Sequence, residues 1–137
     1  DKETLANYYA NVDVFVHPNP REPFGIAPLE AMASGVATVA PNAGGILSYA
    51  TDENIWLTEP TGEAFADAVR DAASNEPARE KKIAAALETA RSNTREASTD
   101  NLFATYDKLY DYFQRNLALF TDREAASTFS FTELLDV

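Results

Sequence analysis

Residues 36–40, Val-Ala-Thr-Val-Ala, lie between Gly35 and Pro41. A run this short and apolar suits a strand covered on both faces, which is the environment of a parallel sheet. Two further short runs flank it in sequence: residues 12–16, ending before Pro18, and residues 55–57, Ile-Trp-Leu. Between the first two runs, Leu29, Met32 and Ala33 give the apolar face of a helix that Gly35 stops. Pro41-Asn42-Ala43-Gly44-Gly45 is turn chemistry, and residues 46–50 suit the start of a short helix. Strand, helix, strand, turn, strand is the order of a doubly wound α/β domain. A short helix over Lys2–Ala10, with Leu5, Tyr8, Tyr9 and Val12 on one side, leads into it.

After Pro60 the pattern is helical throughout. Thr61 suits the cap of a helix in which Phe65, Ala68, Val69 and Ala72 share a face. Pro77 opens a second helix, with Ile83, Leu87 and Ala90 in register. Ser98 or Thr99 is the expected cap of a third, whose stripe Leu102, Tyr106, Leu109, Phe113 and Phe120 is broadened by Phe103, Tyr110 and Leu117. That stripe reads as core packing in preference to a stacking platform. Residues 121–137 show no clear pattern and form an unassigned tail.

At 137 residues the chain suffices for one core and one domain at most. The net charge of −11 argues against nucleic acid and anionic membrane surfaces as partners. Residues 1–60 hold only Lys2 and Arg21 against eight Asp and Glu. There is no cysteine, hence no disulfide and no thiolate metal site. No His/Cys/Asp cluster has metal-ligand spacing, so neither a metal nor a cofactor is expected. No apolar run is long enough to span a bilayer, and no signal-peptide pattern is present. His17 is the single histidine. With no partner acid at a diagnostic spacing, it reads as a partly buried structural residue. The Glu/Lys-rich stretch 76–88 reads as a solvated helix face.

The chemistry is concentrated in residues 22–30, Glu-Pro-Phe-Gly-Ile-Ala-Pro-Leu-Glu. Pro28 suits the first position of a helix, where its missing N–H costs nothing. Glu22 then stands in the loop before that helix and Glu30 in its first turn. A helix start offers unpaired N–H groups and a partial positive charge, which suit phosphate, whereas carboxylates accept hydrogen bonds from sugar hydroxyls. Each carboxylate also has a plain reading, Glu22 as a surface loop acid and Glu30 as a helix-start residue interacting with the dipole.

Residues 13–45 resemble the donor-binding half of retaining glycosyltransferases of the GT-B fold, the "group 1" glycosyltransferases that include glycogen and sucrose synthases. The resemblance rests on several elements in order: the apolar strand running into His17-Pro18-Asn19, then Arg21, Glu22-Pro-Phe24-Gly25, Leu29-Glu30-Ala-Met-Ala-Ser-Gly35, the Val-rich strand, and Gly44-Gly45. The two glutamates, eight apart, form the E-x7-E pattern of that group. The implied fold is a partial Rossmann-like parallel sheet with a helical C-terminal half. Residues 1–120 would be the C-terminal part of a nucleotide-sugar-binding domain.

The resemblance also implies roles. Glu22 is the catalytic residue, beside the donor sugar; whether it is a nucleophile or orients and stabilises an oxocarbenium-like sugar stays open, with the second preferred. Phe24, Gly25, Ile26 and Ala27 present backbone to sugar and diphosphate, and Glu30 takes the ribose hydroxyls. The expected reaction moves a sugar from a nucleoside diphosphate to an acceptor hydroxyl with retention. The acceptor, a sugar, lipid or small molecule, would be held by an N-terminal domain outside this chain. A cytoplasmic enzyme of carbohydrate biosynthesis is implied.

Asn19 departs from the group's usual Ser, Ser48 from a frequent Glu, and Pro28 removes an amide. The group's diphosphate-binding Lys/Arg pair lies on earlier elements, so the chain is expected to be an excised, inactive portion, and its last helix to expose an apolar face prone to self-association. A phosphorylase or epimerase of the same fold, and a non-catalytic nucleotide-sugar-binding or assembly module, stay open.

Overall fold

The computed structural model describes residues 1–122, 124 and 127. Of the tail expected over 121–137, all but residues 121, 122, 124 and 127 lies outside the described residues. The chain divides into two compact units, Asp1–Asn93 and Thr94–Val137.

The first unit begins with helix α1, Lys2–Ala10, whose Asp1 cap accepts from the Thr4 amide at 2.8 Å. Strand β1 follows at Val14–Val16, helix α2 at Ile26–Ala33 and strand β2 at Ala37–Pro41. A 3₁₀ turn at Gly45–Ser48 leads to strand β3, Trp56–Thr58, then to helices α3, Gly62–Ser74, and α4, Glu76–Ser92. The sheet order is β1-β2-β3, all parallel, with Val14 opposite Ala37 and Val39 opposite Trp56.

The central strand is buried at all five positions, as its composition demands. Its residues alternate between two faces. Ala37 and Val39 pack with Trp56 and with Phe65, Ala68, Val69 and Ala72 of α3. Ala40 packs with Met32 of α2, with Ile46, Tyr49, Ala50 and Ile55, and with Ala86 and Ala90 of α4. Met32, Val39, Ile46 and Ile55 are fully buried. Burial of each such side chain contributes about 1.5–3 kcal/mol before entropy is counted. A third cluster joins Tyr9 of α1 to Ala31, Val36 and Phe15.

The expected strands are present but shifted. The first starts at Val14, because Asn11 and Val12 close α1 by donating to the carbonyls of Tyr8 and Tyr9. The second and third each begin one residue later than their apolar runs and end on Pro41 and Thr58. Pro41 cannot donate to the ladder, so it fits only at the strand's end, where the next amide, Asn42 N–H, bonds Thr58 O at 2.8 Å.

The helical expectations for α3 and α4 hold at their starts. Thr61 caps α3 through Ala64 N–H, and Asn75 caps α4 with Pro77 in its first turn. The second unit contains α5, Arg95–Arg115, and α6, Leu117–Thr121. The cap of α5 is Thr94, accepting from Ala97 N–H at 3.1 Å, not Ser98 or Thr99. Thr99 instead lies inside the helix and donates back to Arg95 O at 2.7 Å, a bond that lets a hydroxyl residue sit in a helical interior. The expected core stripe is also corrected. No residue of α5 is buried, and Leu102, Phe103, Tyr106, Leu109 and Tyr110 are all exposed.

Candidate functional site

Three loops leave the carboxyl ends of the strands, the edge where open parallel sheets bind ligands. The first loop carries Glu22. It begins at His17, whose amide extends the ladder by donating to Val39 O at 2.9 Å. The second, after β2, carries Gly44 and Gly45, and the two loops dock backbone to backbone. Gly45 N–H donates to Glu22 O at 2.7 Å. A Cβ on Gly45 would lie 1.7 Å from Pro23 O, so only glycine leaves room for the Glu22–Phe24 backbone.

Gly25 caps α2 in the left-handed region at φ 93°. A close approach to Gly25 is made by the protein's own Tyr49. The Tyr49 hydroxyl donates to Gly25 O at 2.5 Å and sits 2.7 Å from where a Cβ would stand. Burial, and secondarily the charge of Glu22, push the Tyr49 hydroxyl up to about 12. Tyr49 also packs against Phe24, ring centroids 5.2 Å apart.

Because Gly25 allows α2 to start at Ile26, Pro28 is its third residue and not its first. The reason for tolerating proline survives the correction, since the first four amides of a helix lack an intrahelical carbonyl. The amides of Ile26 and Ala27 are therefore the donors at this end. The same shift puts Glu30 at the fifth helical position, beyond the first turn.

Glu22 is half-buried and held by its neighbours. Its Oε2 accepts from Asn19 Nδ2 at 3.1 Å, while Asn19 Oδ1 accepts from the Arg21 amide at 3.1 Å, which folds the loop back on itself. His17 Nε2 lies 3.6 Å from the same Oε2. His17 is partly buried, as expected; the acid nearest its ring is five residues on, brought back by the turn.

Glu30 is anchored separately. Tyr9 is buried, and its hydroxyl lies 3.5 Å from Glu30 Oε2 and 3.3 Å from Ala27 O. Burial, and then the Glu30 carboxylate, raise the Tyr9 hydroxyl above its ordinary value. A depression of about 230 Å³ between α1 and α2 is lined by Leu5, Ala6, Tyr9, Glu30, Ala33 and Ser34.

The structure therefore keeps Glu22, Phe24, Gly25, Ile26 and Ala27 together around the start of α2, with Glu30 one turn along. Sequence reading missed Tyr49 and Tyr9. The available signal was polar aromatics beside apolar runs, whose hydroxyls need partners once buried. Among the described residues no cluster of three or more His, Cys, Asp or Glu side chains is placed to hold a metal, and no helix is long and apolar enough to cross a membrane.

Comparison with known proteins bears on this geometry. The family model described as "Glycosyl transferases group 1" matches residues 1–89. The D-inositol 3-phosphate glycosyltransferase of Corynebacterium diphtheriae is 30% identical over 128 residues, covering 92% of this chain and 29% of that protein. The GDP-mannose-dependent alpha-mannosyltransferase of Mycolicibacterium smegmatis is 58% identical over 41 residues, covering 30% of this chain and 11% of that protein. The sucrose-phosphate synthase structure from Thermosynechococcus elongatus superposes with a TM-score of 0.71 at 28% identity, covering 82% of this chain and 29% of that one. The chain spans less than a third of each of these proteins. With the parallel sheet, its carboxyl-edge loops and a family match over residues 1–89, the chain belongs to the group 1 glycosyltransferases, and its fold matches part of a GT-B glycosyltransferase structure.

Proposed function

We propose that residues 1–120 form the C-terminal part of a domain that receives a nucleoside diphosphate sugar, within a retaining glycosyltransferase of cytoplasmic carbohydrate biosynthesis. The observation carrying this reading is the arrangement around the start of α2. Two amides without intrahelical partners, Ile26 and Ala27, stand between a loop carboxylate and a helical one. The helix end suits the departing diphosphate, whose charge grows as the glycosidic bond breaks. Glu22 orients the sugar and offsets positive charge at its anomeric carbon. Glu30 accepts from the ribose hydroxyls. The GDP-mannose dependence of the Mycolicibacterium smegmatis relative supports a nucleoside diphosphate hexose as the donor class. The acceptor is assigned to the part of the relatives' length outside the stretch that this chain spans.

Two variants of the full-length enzyme test the division of labour. In Glu30→Ala, loss of a charged acceptor removes about 1.5–3 kcal/mol of nucleoside diphosphate binding, about tenfold or more in Kd by titration calorimetry. Glu22→Gln leaves that Kd unchanged and lowers turnover. Unaltered nucleotide affinity in Glu30→Ala returns that residue to an ordinary helical glutamate; near-normal turnover in Glu22→Gln removes the carboxylate from catalysis.

A further inference from the structure

We propose that His17 is a positioning residue for Glu22, supplying through Nε2–H the second hydrogen bond that fixes the carboxylate when nucleotide sugar is bound. This rests on the reading of Glu22 as the carboxylate facing the donor sugar.

The histidine is held at its backbone and on one face of its ring. Its amide is in the sheet ladder, bonded to Val39 O. Its ring stacks on Phe15, centroids 6.5 Å apart and planes 18° from parallel. The side chain is only 13% exposed, and Nε2 is buried without a hydrogen-bond partner among the described residues. A buried polar atom left unpaired costs about 1–3 kcal/mol, so an orphan of this kind calls for an explanation. The nearest acceptor is Glu22 Oε2, at 3.6 Å.

That separation is too long for a hydrogen bond and short of one by only a few tenths of an ångström. Hydrogen bonds at reacting centres are often long in the unliganded protein and tighten with substrate. The Glu22 carboxylate has the freer side chain, 26% exposed against 13% for His17, whose backbone is also tied into the sheet ladder. Asn19 already bonds the same oxygen, Oε2. Two donors converging on Oε2 fix the carboxylate's rotation and leave Oε1 to face the sugar. A hydrogen bond of this kind leaves the carboxylate its charge, which the developing oxocarbenium ion needs.

Turnover and KM for the nucleotide sugar are measured in the full-length glycosyltransferase for wild type, His17→Phe, His17→Gln, Glu22→Gln and His17→Phe combined with Glu22→Gln. Phe keeps the stacked ring and removes the donor; Gln restores an N–H near the same place. The expected result is a fall in kcat of about tenfold or more in His17→Phe, little change in KM, recovery in His17→Gln, and no added loss when His17→Phe is placed on Glu22→Gln. Wild-type kcat in His17→Phe overturns the inference, as does a loss that Gln does not recover or that adds in full to the loss from Glu22→Gln. Normal turnover in Glu22→Gln instead overturns the reading of the site beneath it. A wild-type structure with nucleotide sugar bound tests the contact without any variant. Nε2 and Oε2 are expected within about 3.2 Å, and a gap still at 3.6 Å or more overturns the assignment.

Discussion

At the scale of single residues, the site loop is shaped by contacts that bulk and polarity alone do not announce. Tyr49 is the clearest case. Its hydroxyl closes the turn at Gly25 O, so Tyr49→Phe leaves a buried carbonyl without its donor. The expected loss is about 1 kcal/mol of stability by denaturant titration at neutral pH. The bond also carries a pH signature. The hydroxyl titrates near 12 in the folded protein against an ordinary value near 10, raised by burial and then by Glu22. A group whose folded value is raised stabilises the fold below its unfolded value and loses that contribution as pH climbs through the folded one. The stability gap between wild type and Tyr49→Phe is therefore expected to narrow between pH 10 and about 12, which parallel titrations across that range would follow.

The motif acids and glycines were legible at this scale because their types are rare in combination. The partners of Glu22 were not. His17 and Asn19 meet it only after the Pro-rich turn folds, and the number of residues between them carries no sign of that return. The contact of Tyr49 with Gly25 was not legible either, since Tyr49 comes from another loop.

At the scale of elements, the sheet and the start of its helices were readable from period and caps. Thr61 and Pro77 gave the correct first turns because one local bond decides each. The strand ends were off by one or two residues, since ladder pairing, not hydrophobicity, decides where a strand begins. The α5 cap failed because Thr94, Ser98 and Thr99 are locally equivalent as candidates.

One buried side chain ties the connection between β2 and β3 to α4. Asn54 donates to Tyr49 O and to Thr89 Oγ1, both at 2.9 Å, and accepts from Thr51 N–H at 2.8 Å. Nearby, Lys82 donates to Ile55 O at 2.8 Å and to Asp52 O, and its ammonium lies 5.1 Å from the Trp56 ring centroid. Asn54→Ala would strand several of these partners together. The expected cost is about 1–3 kcal/mol, visible as a lower urea midpoint with an unchanged slope. A loss within error of zero would mean that water replaces the amide.

At the scale of the molecule, the family follows from the match over residues 1–89. Each of the three relatives compared is more than three times the length this chain covers in it. The candidate site is also poor in positive charge, with Lys2 and Arg21 the only cations among residues 1–60 against eight acids. Phosphate charges within a Debye length of about 8 Å feel that imbalance at physiological salt. The purified 137-residue chain is therefore expected to bind nucleotide sugars no tighter than about millimolar, or −4 kcal/mol, and to transfer no sugar to any acceptor. Release of nucleoside diphosphate from a panel of nucleotide sugars checks this; acceptor-dependent turnover would require a complete active site within these residues.

The docking of the two loops has one more consequence. The Gly45 amide is tied to Glu22 O and to nothing in its own loop. It can exchange its proton for deuterium only when the Glu22 loop lifts away. The amide at Gly45 is thus a built-in clock for opening of the site. Its exchange is expected to slow on adding a nucleoside diphosphate to the full-length enzyme, while amides in the sheet ladder keep their pace. The same clock would run faster in any variant that loosens the turn at Gly25, giving a measure of loop order that needs neither acceptor nor catalysis.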